Sequence, residues 1–179
     1  MAARIEVTIT YLRQEGRPVL TPQPHPQGKI AIMRAKSPPL HFYRYFYDVV
    51  GRKWNWVSRR KLDDEALLAI IHDPATYLYV LYVDGVPAGL AEIYLDKDRR
   101  AELRFFGLTG EYIGRGLARY FLANVIDLAW ALDPECLLLE TCTLDHPAAL
   151  PLYQKFGFTV FDQKKGSVER IEDLPPLKL

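Results

Sequence analysis

Cysteine is scarce in this chain: among 179 residues only Cys136 and Cys142 occur, too few for a disulfide scaffold. They lie six residues apart on what reads as one strand, too far for a local bridge, so both read most simply as buried small apolar groups. The four histidines, His25, His41, His72 and His146, lack the i,i+4 or His/Cys spacing that converges on a metal, and no structural zinc is expected. No sign of charge dominates: Lys+Arg 23 against Asp+Glu 22 leaves a net +1, which excludes the basic excess of a dedicated nucleic-acid binder. Long hydrophobic runs are missing too. LLAII at 67–71 and LLL at 137–139 fall far short of the ~20 residues of a membrane helix. The opening MAARIEVTITYLRQ has no apolar core region or small-residue cleavage site, so no secretory leader and a cytoplasmic location are expected.

What is present suits one domain over 1–179. At 49% hydrophobic residues, a chain of this length buries roughly 70% of its unfolded surface. Residues 3–12 alternate with period 2, predicting a half-buried strand. RPVLTPQPHPQGK carries four of the 13 prolines and predicts a loop, followed by a strand at 29–35. The aromatic segment HFYRYFYDVVGRKWNWVSRR predicts two short helices broken near Gly51. Asp63 and Asp64 open a further helix that ends at Asp73-Pro74. In TYLYVLYVDGVPAGLAEIYLD two β-rich runs flank Asp84-Gly85, the signature of a β-hairpin with a type I′ turn. A strand at 101–109, a helix at about 115–132, a doubly covered strand at 136–143, a short helix at 146–156 and a strand at 158–163 complete the pattern. Residues 164–179, with little pattern and two prolines, are expected to form a loosely held tail. The order predicts a mixed sheet flanked by helices, an α/β (α+β) domain.

The chemistry is concentrated in FFGLTGEYIGRGLARYFL, where a strand enters a glycine-containing turn and then an amphipathic helix. Gly114 and Gly116 permit close approach of a ligand, and the free N–H groups of the helix's first turn form an anion site. Arg115 and Arg119 add positive charge there, so a phosphate ester is expected. No Walker A string exists, and Arg119 stands where a dinucleotide fingerprint places Gly or Ala.

EYIGRG, read as Glu111-x-x-Gly114-x-Gly116, resembles the acetyl-coenzyme A signature Arg/Gln-x-x-Gly-x-Gly/Ala of the GNAT superfamily of N-acetyltransferases. HPAALPLYQKFGF at 146–158 is similar to the family's later motif, with Tyr153, Gly157 and Phe158 in register. Glu111 replaces the usual Arg or Gln, and His146 the frequent Asn. The resemblance covers 76–163 well and earlier residues by element order alone.

The resemblance implies an α/β (α+β) fold with a central mixed, mostly antiparallel sheet, flanked by helices and splayed at the acetyl-CoA site. It implies an N-acetyltransferase that moves an acetyl group from acetyl-CoA to a primary amine by direct attack in a ternary complex, without a metal. The pantetheine arm is expected along Phe106, Gly107, Leu108 and Thr109. The pyrophosphate is expected at Ile113, Gly114, Arg115, Gly116, Leu117, Ala118 and Arg119, with His146 toward the pantetheine. Glu102 is the first choice for general base, sharing a face with Arg104, Phe106 and Leu108, and Glu92 the second. Tyr153 matches the family tyrosine that protonates the departing thiolate. Glu102 reads equally as a solvated carboxylate paired with Arg104 or Arg99, and Tyr153 as a core side chain. Some of Phe42, Tyr43, Tyr45, Phe46, Tyr47, Trp54 and Trp56 are expected to line the acceptor pocket. The partners expected are acetyl-CoA and an amine, a small molecule rather than nucleic acid or membrane, with an open strand edge that permits a homodimer. The alternative is an acyl-CoA-binding module or partner-dependent subunit without catalysis.

Overall fold

The structure, a computed structural model, describes residues 4–177. Its strands are β1 (Arg4–Gln14), β2 (Ile30–Ala35), β3 (Thr76–Val83), β4 (Val86–Leu95), β5 (Arg100–Leu108), β6 (Cys136–Cys142) and β7 (Thr159–Glu169). Its α-helices are α1 (Leu40–Gly51), α2 (Asp64–Ile71), α3 (Leu117–Trp130) and α4 (Ala149–Lys155). The seven strands form one sheet in the order β2-β3-β4-β5-β6-β1-β7. Every neighbouring pair is antiparallel except β5 and β6, which run parallel.

Local sequence accounts for several of these elements. Asp84 and Gly85 both adopt positive φ, 51° and 84°, as a type I′ turn between β3 and β4 requires. The Asp63 carboxylate accepts a hydrogen bond from the Ala66 N–H at 2.8 Å and caps α2, satisfying a donor that the helix leaves free.

Apolar side chains then fill both faces of the sheet. One core, under α3 and α4, contains Leu12, Leu81, Phe121, Leu122, Ile126, Leu139 and Phe158. The other, under α1 and α2, contains Tyr43, Phe46, Tyr47, Val50, Leu67, Val80 and Leu90. The aromatic segment forms one α-helix through Gly51 and then two single 3₁₀ turns, Arg52–Trp54 and Arg59–Lys61, rather than a second α-helix.

One other expectation changes. Residues 164–169, placed by sequence in a loose tail, continue β7, which pairs with β1 from Arg13↔Thr159 to Arg4↔Glu169. As an edge strand with little burial, this segment needs no apolar alternation; backbone pairing and the contact of Lys61 with Glu169 at 2.6 Å hold it. The N-terminal strand also lies inside the sheet, between β6 and β7.

Gln14 ties that inner strand to two helices. Its amide donates to the Phe156 carbonyl at 2.7 Å and accepts from the Trp130 indole N–H at 2.8 Å, and the residue is 3% exposed. Gln14→Ala strands both partners and is expected to lower unfolding free energy by about 2–4 kcal/mol, measured by urea denaturation; a loss below about 1 kcal/mol contradicts this role.

Candidate active site

The parallel pairing of β5 with β6 runs only from Arg100↔Cys136 to Leu103↔Leu139. Both strands continue, to Leu108 and Cys142, without pairing to each other. The divergence begins at a bulge: on β4, Glu92 pairs with Phe105 and Ile93 with Leu103, leaving Arg104 as the extra residue. A bulge bends its strand and shifts side chains between faces. Accordingly, Phe105 packs edge-on against Tyr47 on the α1 side at 5.0 Å, whereas Phe106 meets Phe121 of α3 at 5.3 Å.

A cavity of about 690 Å³ occupies the gap. Because β5 is antiparallel to β4, the N–H groups not directed to β4 point into this opening. At one end stand Gly114 and Gly116, with φ of 83° and 77°. Gly116 precedes α3 without a side-chain cap, so the N–H groups of the first turn face outward as donors.

Of the residues expected to hold the cosubstrate, Phe106, Gly107, Leu108, Ile113, Gly114, Gly116, Ala118, Arg119 and His146 line the cavity. Thr109, Arg115 and Leu117 do not. Thr109 is buried and its N–H bonds the Ala88 carbonyl at 2.9 Å. The Arg115 guanidinium lies over the Tyr112 ring at 5.1 Å. Leu117 is 2% exposed and belongs to the core beneath α3. The His146 imidazole Nδ1 accepts from the Ala148 N–H at 3.0 Å and meets Trp54 edge-on at 5.2 Å.

Tyr153 of α4 reaches the same cavity. Its ring is T-shaped to Phe106 and Phe158 at 6.5 and 6.1 Å. Burial, and then the negative charge of Asp145, push its hydroxyl well above the ordinary tyrosine value, so it keeps its proton throughout the neutral range.

The expected bases are placed differently. Glu102 does not line the cavity; its carboxylate accepts from Arg104 Nε at 3.1 Å, and Arg104 in turn lies 3.7 Å from the Tyr94 ring centre. The face expected for Glu102 with Arg104, Phe106 and Leu108 is broken by the bulge, which sends Phe106 and Leu108 to the α3 side. Glu92 is fully buried and engaged twice, accepting from Tyr43 Oη at 2.5 Å and from Arg59 Nη2 at 2.6 Å. Trp54 and Trp56 line the cavity, whereas Phe42, Tyr43, Tyr45, Phe46 and Tyr47 lie outside it.

Sequence reading missed the β6 and β1 contributions. Glu140, Thr141, Cys142 and Asp145 line the cavity, as do Val7 and Ile9. The apolar run of β6 reads as a strand covered on both faces, which conceals an opening beside its end. Both cysteines are half-buried rather than buried. The Asp145 carboxylate accepts from Thr141 Oγ1 at 2.6 Å and from the Cys142 N–H at 2.9 Å, turning the chain away after β6. Among the described residues, no His, Cys, Asp and Glu side chains gather as a metal site and no helix is long and apolar enough to cross a membrane.

Comparison with known proteins decides the family: residues 41–158 match the model of the Acetyltransferase (GNAT) family. The chain belongs to the GNAT family. Members of that family are acyltransferases that use acetyl-CoA as cosubstrate. Solved structures resemble this GNAT chain along most of its length. A functionally unknown conserved protein from Staphylococcus epidermidis is 16% identical with a TM-score of 0.60, covering 93% of this chain and 63% of its own. A GCN5-related N-acetyltransferase from Sphaerobacter thermophilus is also 16% identical, with a TM-score of 0.57, covering 100% of this chain and 55% of its own. The chain therefore spans less than two thirds of either structure's length. The ribosomal-protein alanine N-acetyltransferase of Escherichia coli is 20% identical with a TM-score of 0.57, covering 73% of this chain and 78% of its own. These are likenesses of fold. No curated protein matches the chain.

Proposed function

We propose that this GNAT protein transfers an acetyl group from acetyl-CoA to a primary amine by direct attack within a ternary complex. The observation that carries the reading is the parting of β5 and β6 beyond Leu103↔Leu139, above the glycine-led start of α3. The residues suit the cosubstrate. First-turn N–H groups of α3 and the Arg119 guanidinium receive a pyrophosphate. The gap side of β5 at Phe106, Gly107 and Leu108 offers backbone groups to an amide-bearing arm. The apex between Leu103 and Leu139 then receives the thioester.

At that apex the chain's residues divide the proton work. A carboxylate on the α1 face of the sheet takes one proton from the acceptor ammonium, freeing the nitrogen lone pair. The N–C bond forms and the C–S bond breaks. Tyr153 gives its proton to the departing thiolate and is replenished by the second proton that the nitrogen loses. Trp54 and Trp56 wall the acceptor side, where their ring faces suit a cation. Alanine-terminated peptides and aminoglycosides are reasonable first acceptors because fold relatives bear the names of such enzymes.

The test is a thermal melt with acetyl-CoA, coenzyme A, ATP and NAD. A ligand at 100 times its Kd adds about 2.7 kcal/mol, which raises Tm by roughly 5–10 °C for a domain of this size. The expected result is a rise with the two coenzyme A species alone, abolished in Gly116→Asp, whose carboxylate repels the pyrophosphate. A rise with ATP or NAD alone contradicts the reading.

A further inference from the structure

We propose that a second cavity, beside the start of β1, is a subsite for a carboxylate of the acceptor, so that the acceptor is a primary amine on an apolar body with an acid at its far end. The inference rests on the acetyl-transfer reading and names the acceptor class of that site.

The path starts at the parted strands. Leu12 belongs to the core under α3, so Ile5, Val7 and Ile9, each an odd number of residues away, project from the α1 face. Cys142 pairs with Ile9 and Val168 with Ile5, and directly paired residues share a face. Val7, Ile9, Cys142, Leu144 and Val168 thus floor the α1 side of the large cavity, under the wall of Trp54 and Trp56. Such a floor suits an apolar body.

The second cavity, of about 390 Å³, opens at the far end of this floor. The two cavities share Asn55 and Leu144, and Ile5 continues the row of Val7 and Ile9 into the second. From Ile9 to Ile5 the strand spans about 13 Å, the length of about four extended peptide residues.

Charge changes along that row. Arg52, Lys53 and Arg170 line the second cavity against one acid, Glu172. The neighbouring carboxylates are committed elsewhere, Asp48 to Arg52 and Arg60 and Glu169 to Lys61 and Arg4; among the described residues none pairs with Lys53 or Arg170. Asn55 brings these two cations to one opening. At a left-handed φ of 59°, its Nδ2 donates to the Glu169 carbonyl and its Oδ1 accepts from the Ile171 N–H, both at 2.8 Å, clasping the turn that carries Lys53 to the strand end that carries Arg170. Lys53 Nζ lies 5.1 Å from the ring centre of Trp54, a wall of the large cavity. An ammonium and a guanidinium set together receive a carboxylate. A polycationic aminoglycoside meets like charge there, whereas a peptide whose N-terminus is followed by apolar residues and then an acid is matched along its length.

The experiment measures kcat/KM for coenzyme A thiol release with three tetrapeptide amides, Ala-Val-Val-Glu, Ala-Val-Val-Gln and Ala-Val-Val-Lys. The glutamate peptide is expected to exceed the glutamine peptide about tenfold, mainly through KM, with the lysine peptide below both, and added NaCl is expected to shrink the spread. The double variant Lys53→Glu with Arg170→Glu is expected to reverse that order, while its Tm rise with coenzyme A persists and reports a folded protein. Equal kcat/KM for the three peptides, a lysine preference in wild type, or an undiminished glutamate preference in the double variant overturns the subsite alone, because transfer to any of the peptides upholds the acetyl-transfer reading. A wild-type protein that acetylates none of the three overturns the subsite together with that reading.

Discussion

Glu92→Ala is expected to lower unfolding free energy by about 3–5 kcal/mol, the range for removing one partner of a buried ion pair. Glu92 has no exposed surface, and the side chain of Arg59, its 2.6 Å partner, is 12% exposed. Burial alone works against the Arg59 charge, but Glu92 and then Tyr43 outweigh it and hold the guanidinium above its ordinary value. With the carboxylate gone, that charge stays under the 3₁₀ turns, and the Tyr43 hydroxyl loses its acceptor. The site feels the same change. Arg59 lies 5.2 Å from the ring centre of Phe105, which touches Trp56 on the cavity wall. Guanidinium unfolding curves measure the effect, and Glu92→Gln, which keeps an acceptor for Tyr43, is expected to lose less. A loss below about 1 kcal/mol for Glu92→Ala contradicts the role assigned to this buried network.

Tyr153→Phe is expected to lower kcat about 100-fold while leaving the affinity for coenzyme A unchanged. The substitution keeps both T-shaped ring contacts and removes one oxygen, so the loss falls on proton delivery rather than on binding. The pH profile carries a further sign. Because burial raises the hydroxyl above its ordinary value of 10.0, Tyr153 remains a donor up to that pH and contributes no alkaline limb below it. Steady-state kinetics from pH 6 to 10 check both points. A kcat within threefold of wild type assigns the proton to water and returns Tyr153 to the core.

Much of the scaffold was legible because its signals are local. Asp84-Gly85 specifies its turn through positive φ, Asp63 caps α2 through a carboxylate three residues from its donor, and the glycines at 114 and 116 announce the break before α3. The parts that stayed hidden depend on partners distant in sequence. Nothing in residues 4–14 indicates that this strand enters the sheet between β6 and β7. Lys164 to Glu169 lack apolar alternation because an edge strand is held by its backbone. The bulge at Arg104 carries no glycine or proline to mark it, yet it separates Glu102 from the face of Phe106 and Leu108. The opening beside Glu140 is hidden for the same reason: it follows from where β5 and β6 stop pairing, at Leu103 and Leu139, two residues far apart in the chain.

The most direct test of the central claim is a crystal structure of the protein with coenzyme A bound. The account predicts the pyrophosphate on the N–H groups that follow Gly114 and Gly116, the pantetheine arm between β5 and β6 alongside Phe106 to Leu108, and the thiol at the Leu103–Leu139 apex within reach of Tyr153. Coenzyme A bound outside this gap, or a gap closed by pairing between β5 and β6, contradicts it.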